Sequence, residues 1–191
     1  MQIITLRPWL FLFSLVLAFA VYPASRSVAQ AGDIWLSVDT SALTLSVMQG
    51  DSTLKVYTNI AIGSNGVTRQ KRVKDEKTPL GDFRINGIDT SQRFRLFLSI
   101  DYPNMRDVQK AFDEGRIDAA EYEALRQAWR RSRPPPQNTS LGGNLGIHGI
   151  GAGSMEIHNS FNWTNGCIAL TNDQVEELAA QVRIGTRVRI H

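Results

Sequence analysis

A cysteine and an upstream histidine are the residues of this chain best suited to covalent chemistry. Cys167 is the only cysteine among 191 residues, and it follows Gly166 in a segment rich in Gly, Asn and Ser, which predicts a loop. The thiolate is the attacking form of cysteine, and a nearby imidazole such as that of His148 lowers the free energy of forming it. Gly166 lets the backbone turn and direct N–H groups at an oxyanion. The pair therefore predicts a nucleophile and a base.

Other interpretations of these residues compete with catalysis. A lone cysteine is among the most buried residue types, so a structural Cys167 packed as a small hydrophobe is the main alternative. The nearby His158 lies in a polar stretch, which favours a surface histidine over a second candidate base. His148 instead follows a short apolar segment that would hold it rigidly. We therefore expect His148, and not His158, to be the base.

The sequence around this pair resembles the signature of the L,D-transpeptidase catalytic domain family. His148 is followed by fifteen residues and then by the run TNGCI at positions 164–168, which is similar to the family's His, spacer and Ser/Thr-x-Gly-Cys pattern. The resemblance implies that Cys167 is the nucleophile and that His148 accepts its proton. Asn165 stands where the family usually has a second His, and Ala169 where many members have an Arg. The form Trp-Thr-x-Gly-Cys-Ile-Ala is similar to a subgroup of the family.

A second motif supports the same resemblance. The run TPLGDF at positions 78–83 is similar to a Thr-Pro-x-Gly-x-Phe element that the family carries upstream of its cysteine. Together the motifs extend the resemblance over residues 34–191. It implies a mainly β catalytic domain of the L,D-transpeptidase type, a β-sandwich with a C-terminal helix and a helical insertion at about 104–131.

The resemblance also implies a reaction and a substrate. Cys167 would form an acyl-enzyme with a peptidoglycan stem peptide, and an amine would resolve it to an L,D cross-link. A hydrolase of the same fold, with water in place of the amine, is one alternative. A non-catalytic envelope-binding module is another, and it predicts an inert Cys167. We expect no cofactor and no metal, and a carbapenem adduct at Cys167.

Further residues around the pair are candidate parts of the site. The carbonyl of Gly149 is expected to orient His148, and backbone N–H groups near Gly166 and Cys167 to stabilise the oxyanion. Four residues are candidates for binding substrate: Trp163, Thr164, Asn165 and Arg133. Loop packing is the alternative for Trp163. An arginine such as Arg133 would grip a stem-peptide carboxylate with its two-pronged guanidinium, and the alternative is a solvated helix-end charge.

The N-terminus predicts export. Residues 1–31 combine Arg7, a short apolar run and small residues that fit a cleavage site, which is typical of a signal peptide and leaves 32–191 as the catalytic domain. An uncleaved anchor is the alternative. Export places the protein in the periplasm or cell envelope, where one unpaired cysteine favours a reactive thiol. Residues 1–29 carry two arginines and no acid, so the net charge falls from +3 to +1, which argues against a nucleic-acid partner.

The remaining pattern predicts strands with helices at their edge. Alternating apolar residues predict a hairpin over 34–48 and strands over 54–62 and 93–100. Helical spacing predicts helices within 104–131 with a break near Gly115, a helix from Thr171 to Gly185, and a closing strand over 186–190. The basic stretch 67–77 is predicted to be a solvated loop, with a rim that meets an acidic substrate as the alternative.

Overall fold

A computed structural model describes residues 32–191, and the predicted signal peptide lies outside this part of the chain. The described residues form strands and four short helices. The strands are β1 (Ile34–Asp39), β2 (Thr44–Gln49), β3 (Ser52–Thr58), β4 (Val67–Thr68), β5 (Thr78–Pro79), β6 (Gly81–Ser91), β7 (Arg95–Ile100), β8 (Gly146–Gly149), β9 (Ile168–Leu170) and β10 (Arg187–Ile190). The helices are α1 (Met105–Asp113), α2 (Ala119–Arg130), α3 (Met155–Ser160) and α4 (Asn172–Ala179). None of these helices has the length and apolar character needed to cross a membrane.

Eight strands make one sheet with two halves that meet at β6. The order is β3-β2-β1-β10-β6-β7-β8-β9, while β4 and β5 form a separate pair. The start of β6 pairs with β10 and its remainder pairs with β7, with a register shift between Ile85 and Gly87. A bulge of this kind bends a strand, so one long strand serves both halves. The predicted hairpin is confirmed as β1 and β2.

The two ends of this sheet approach each other around a common core. Ala61, just after β3, exchanges backbone hydrogen bonds of 2.7 and 3.0 Å with Ala169 in the edge strand β9. Fully buried side chains from both halves fill the interior, among them Leu36, Leu45 and Leu98. The mainly β, sandwich-type fold that was predicted is thereby confirmed. The helices lie at its edges.

The predicted helices within 104–131 are confirmed as α1 and α2, on either side of Gly115. Asn104 caps α1 in a reciprocal capping box, and the Asp118 side chain accepts a hydrogen bond from Glu121 N at the start of α2. Gly115 adopts φ +67, which a glycine reaches at low cost. Leu125 is fully buried, so the helices are packed on the domain.

Two helix predictions differ from the structure. Thr171 does begin α4 with a capping box to Gln174, but α4 ends at Ala179 and not at Gly185. The segment between β8 and β9 was predicted to be a loop, yet it contains α3, which Ser154 caps. The Gly, Ser and Asn residues around this six-residue helix are typical of a loop, so the composition did not predict a helix here.

Candidate active site

The parallel pairing of β8 and β9 brings His148 and Cys167 to one face of the sheet. His148 lies opposite Ala169 in the register. Cys167 precedes Ala169 by two positions, and residues two apart along an extended chain point to the same side. Ala169 is fully buried, and backbone hydrogen bonds from Ala61 along the outer edge of β9 hold it in place, so the strand end that carries Cys167 is fixed.

The imidazole of His148 is fixed in one tautomer by its own strand. Nδ1 lies 2.8 Å from the carbonyl oxygen of Gly149, to which it can only donate, so Nε2 is the nitrogen that can accept a proton. The Phe94 ring lies tilted against the imidazole at 4.0 Å between centroids, Phe97 stacks on it at 5.9 Å, and Trp163 meets it edge-on at 5.8 Å. Burial in this aromatic cage lowers the pKa of His148 to about 4.

The thiol of Cys167 is partly buried and faces a backbone carbonyl. Its Sγ lies 3.6 Å from the carbonyl oxygen of Asn144, and no hydrogen bond joins it to the imidazole in the part of the chain that the structure describes. Burial raises the pKa of Cys167 to about 11, although the Gly146 amide and the charges of Lys71 and Arg93 act in the opposite direction. At neutral pH the thiol and the imidazole are therefore both uncharged.

The turn before Cys167 is tied down by the side chain of Thr164. Its hydroxyl accepts a hydrogen bond from Gly166 N at 3.1 Å and donates one to the Cys167 carbonyl at 2.7 Å. Gly166 has φ +123, and a Cβ built on it would lie 2.6 Å from the Lys77 carbonyl and 3.2 Å from the Lys71 ammonium. Because the Gly166 amide is already bound to Thr164, we expect the next amide along the chain, that of Cys167, to be the donor for an oxyanion.

Gly166→Ala is expected to destabilise the protein and to remove activity. A side chain at this φ costs roughly 1–3 kcal/mol, and here it also collides with backbone. Gly185→Ala is a matched control, because Gly185 has φ +92 but a Cβ added there would meet no atom within 4 Å. Thermal unfolding should show the larger loss at Gly166. Equal losses at the two positions would mean that contact with Lys77 is unimportant.

The four residues predicted to bind substrate have different surroundings in the structure. Trp163 is partly exposed and touches His148, whereas Asn165 is exposed on the turn before the cysteine. Thr164 is 3% exposed, and its hydroxyl is already bonded to Gly166 N and the Cys167 carbonyl within the loop. Arg133 is exposed beyond α2, and no described contact joins it to His148 or Cys167. A substrate-binding role for each of them stays a prediction.

His158 is not the surface residue that the sequence predicted. It lies on α3 with 2% of its surface exposed, because the helix turns it inward against Trp163. Its Nδ1 accepts a hydrogen bond from the indole N–H at 3.3 Å, while Nε2 has no hydrogen-bond partner among residues 32–191. Burial lowers the pKa of His158. It therefore supports Trp163, which in turn contacts His148.

Several residues near the pair were not predicted from the sequence. Phe94 and Phe97 belonged to a strand pattern that placed them on opposite faces, and Arg93 carried no motif. Lys71 lies in the stretch predicted to be a solvated loop, yet it is 5% exposed and pairs with Asp75 at 2.5 Å. The spacing of Asp75 four residues after Lys71 is the feature of the sequence that could have indicated this ion pair. Residues 32–191 contain no cluster of three or more metal-binding side chains.

Comparison with known proteins identifies the domain. Residues 33–190 match the family model of the L,D-transpeptidase catalytic domain, YkuD. The helical cell shape determining protein Pgp2 of Campylobacter jejuni aligns with a TM-score of 0.58 and 19% identity, over 84% of this chain and 50% of Pgp2. Bd1075 of Bdellovibrio bacteriovorus aligns with a TM-score of 0.54 and 19% identity, over 84% of this chain and 48% of Bd1075.

The chain therefore spans about half the length of these two solved structures, which share its fold. No curated protein matches it in sequence. The family model nevertheless extends from the first strand to the last, with the histidine and the cysteine inside it. The chain belongs to the L,D-transpeptidase catalytic domain family.

Proposed function

We propose that the protein is a cysteine peptidyltransferase that acts on peptidoglycan stem peptides. The observation that carries the proposal is the arrangement of the only cysteine and a tautomer-fixed histidine on one face of β8 and β9, within a domain of this family. The Nδ1–H bond to Gly149 leaves Nε2 as a base of the right form. A fixed tautomer on a rigid strand is what general-base catalysis requires.

The proposed reaction begins with both groups neutral. Since burial lowers the pKa of His148 and raises that of Cys167, transfer of the thiol proton to Nε2 is unfavourable until an acyl carbonyl is in place. The thiol must leave the Asn144 carbonyl by rotating about its Cα–Cβ bond. Unliganded catalytic sites often have such long or misdirected hydrogen bonds. Substrate binding then completes the alignment.

Attack by Sγ forms a bond to the carbonyl carbon of the donor, and the oxygen becomes an oxyanion. The Cys167 amide is the donor that we assign to this oxygen, and a single donor of this kind is typically worth about 3 kcal/mol of barrier. The C–N bond to the terminal D-residue then breaks, and His148 returns the proton to the leaving amine. An acceptor amine then attacks the thioester carbonyl, His148 takes a proton from this amine, and the C–S bond breaks. His148 passes the proton to the leaving sulfur, which restores the thiol and yields an L,D cross-link.

Hydrolysis is the second candidate reaction, because water can replace the amine without any change in the residues. Incubation with a tetrapeptide donor and an amine acceptor separates the two. Mass spectrometry should show an acyl-enzyme at Cys167 that lacks the terminal residue, followed by cross-linked dimers. Shortened stems alone would assign the protein as a hydrolase.

Exposure to a carbapenem tests the catalytic proposal against a non-catalytic binding module. The intact mass of the protein should rise by one carbapenem, and peptide mapping should place the adduct on Cys167. Cys167→Ser is the control and should remain unmodified. A wild-type protein that stays unmodified by both the carbapenem and the donor would overturn the proposal. Export to the periplasm, with a role in cell shape such as the name of Pgp2 describes, belongs to this proposal.

A further inference from the structure

A cavity of about 430 Å³ opens beside the catalytic histidine. Its walls come from the turn between β6 and β7, from the loop after β8, and from α3. Trp163 belongs both to this cavity and to the aromatic cage of His148. A ligand in the cavity would therefore contact the indole of Trp163, which in turn contacts the imidazole of His148.

The lining of this cavity combines apolar side chains with one fixed charge. Ile150, Ile157 and Trp163 supply the apolar surface, and Arg93 is its only charged side chain. Pockets that select small ligands commonly have this composition, apolar walls with a few polar groups that set orientation. Ile157 is 50% exposed on α3, so the apolar wall continues to the surface.

Arg93 is held at the cavity but is not neutralised. Its guanidinium carbon lies 4.8 Å from the centre of the Phe94 ring, which also contacts the imidazole of His148. Gly151 packs so closely on the Arg93 carbonyl that a Cβ would lie 1.8 Å from it, which fixes the backbone. No carboxylate forms a salt bridge with Arg93 within residues 32–191, whereas Arg95, two positions on, is paired with Glu176.

The charge of Arg93 also reaches both reacting groups. It contributes to lowering the pKa of His148, and it opposes the rise in the pKa of Cys167. An unpaired guanidinium with five donors in a planar fork binds a carboxylate through two parallel hydrogen bonds. The cavity thus offers a carboxylate-binding group and an apolar wall, and it shares Trp163 with the aromatic cage of His148.

We infer that Arg93 and this cavity form the subsite for the terminal D-amino acid of the donor, the residue that leaves when Cys167 is acylated. Arg93 binds its free carboxylate, and Ile150 and Ile157 contact its compact apolar side chain. This inference rests on the proposed function. It makes Arg93 a specificity-determining residue that selects stems with an uncapped terminus.

Two donors test the inference, a tetrapeptide ending in D-alanine with a free carboxylate and the same peptide as its carboxamide. Wild type should prefer the carboxylate by roughly ten- to a hundredfold in kcat/KM, the range of charge-assisted hydrogen bonds. Arg93→Gln should bring this ratio close to one, mainly through KM for the carboxylate, because uniform binding is lost. Arg93→Lys should keep part of the preference as a point charge without the fork.

Arg95→Gln is the matched control, since it removes a neighbouring arginine whose partner is a surface glutamate. It should keep the wild-type ratio. A preference that survives Arg93→Gln, or one that disappears in Arg133→Ala instead, overturns the subsite. If neither donor acylates wild-type Cys167, the proposed function itself is wrong and the subsite is rejected with it.

Discussion

Cys167→Ser is expected to lower turnover by at least about a thousandfold while the protein folds as before. A serine hydroxyl ionises far less readily than a thiol, and the imidazole of His148, with its pKa lowered to about 4, is too weak a base to compensate. The substitution changes little else. Serine is nearly the same size, and its hydroxyl can still donate to the Asn144 carbonyl that now accepts from the thiol.

Thermal unfolding and donor turnover should be measured on the same preparations of Cys167→Ser and wild type. The melting temperature should stay within about 4 °C, which corresponds to roughly 1 kcal/mol for a domain of this size. A folded Ser variant with wild-type turnover would remove Cys167 from the mechanism. A large drop in melting temperature would instead favour the structural cysteine that was the alternative interpretation of the sequence.

His148→Ala is expected to reduce kcat/KM by roughly a hundred- to ten-thousandfold, the usual contribution of a general base. The wild-type pH profile provides the signature of this role. Because burial lowers the pKa of His148 to about 4, the imidazole is neutral throughout the neutral range and loses its capacity to accept a proton only as the pH falls through 4. The acidic limb of kcat/KM should therefore lie near pH 4, well below the ordinary histidine value.

His158→Ala is the comparison variant for this prediction. It removes the acceptor for the Trp163 indole and should loosen the aromatic cage, which would move the acidic limb toward the ordinary histidine pKa without removing the base. The rate of thiol alkylation against pH should be recorded for both variants. An apparent thiol pKa that rises in His158→Ala and not in His148→Ala would reverse the assignment of the base.

Local sequence patterns were sufficient to predict the strands and helix ends that depend only on neighbouring residues. The alternation over residues 34–48 gave β1 and β2, and the Thr171-to-Gln174 spacing gave the capped start of α4. The pairing of His148 with Cys167 came from the resemblance to the family and not from periodicity. The two residues come together because β8 pairs with β9 in a particular register. Hydrophobic periodicity describes one segment at a time, so it could not predict how these two strands pair.

The parts that were missed depend on backbone reversals and tertiary contacts. Arg95 has φ +68, which interrupts the extended chain between Phe94 and Phe97 and lets both rings reach His148. Simple alternation placed these rings on opposite faces. His158 is buried because α3 turns it toward Trp163, and a polar local composition carries no information about that contact.

The hydrogen bond from the Cys167 thiol to the Asn144 carbonyl bears on the chemical lifetime of the protein. Oxidation to sulfenic acid and thiol–disulfide exchange both proceed through the thiolate, so a protonated thiol reacts slowly with oxidants. Burial raises the pKa of Cys167 to about 11, and the Asn144 carbonyl accepts only from the protonated form. The sequence has no second cysteine with which to form an internal disulfide. We therefore expect Cys167 to oxidise slowly as long as its thiol stays protonated against the Asn144 carbonyl.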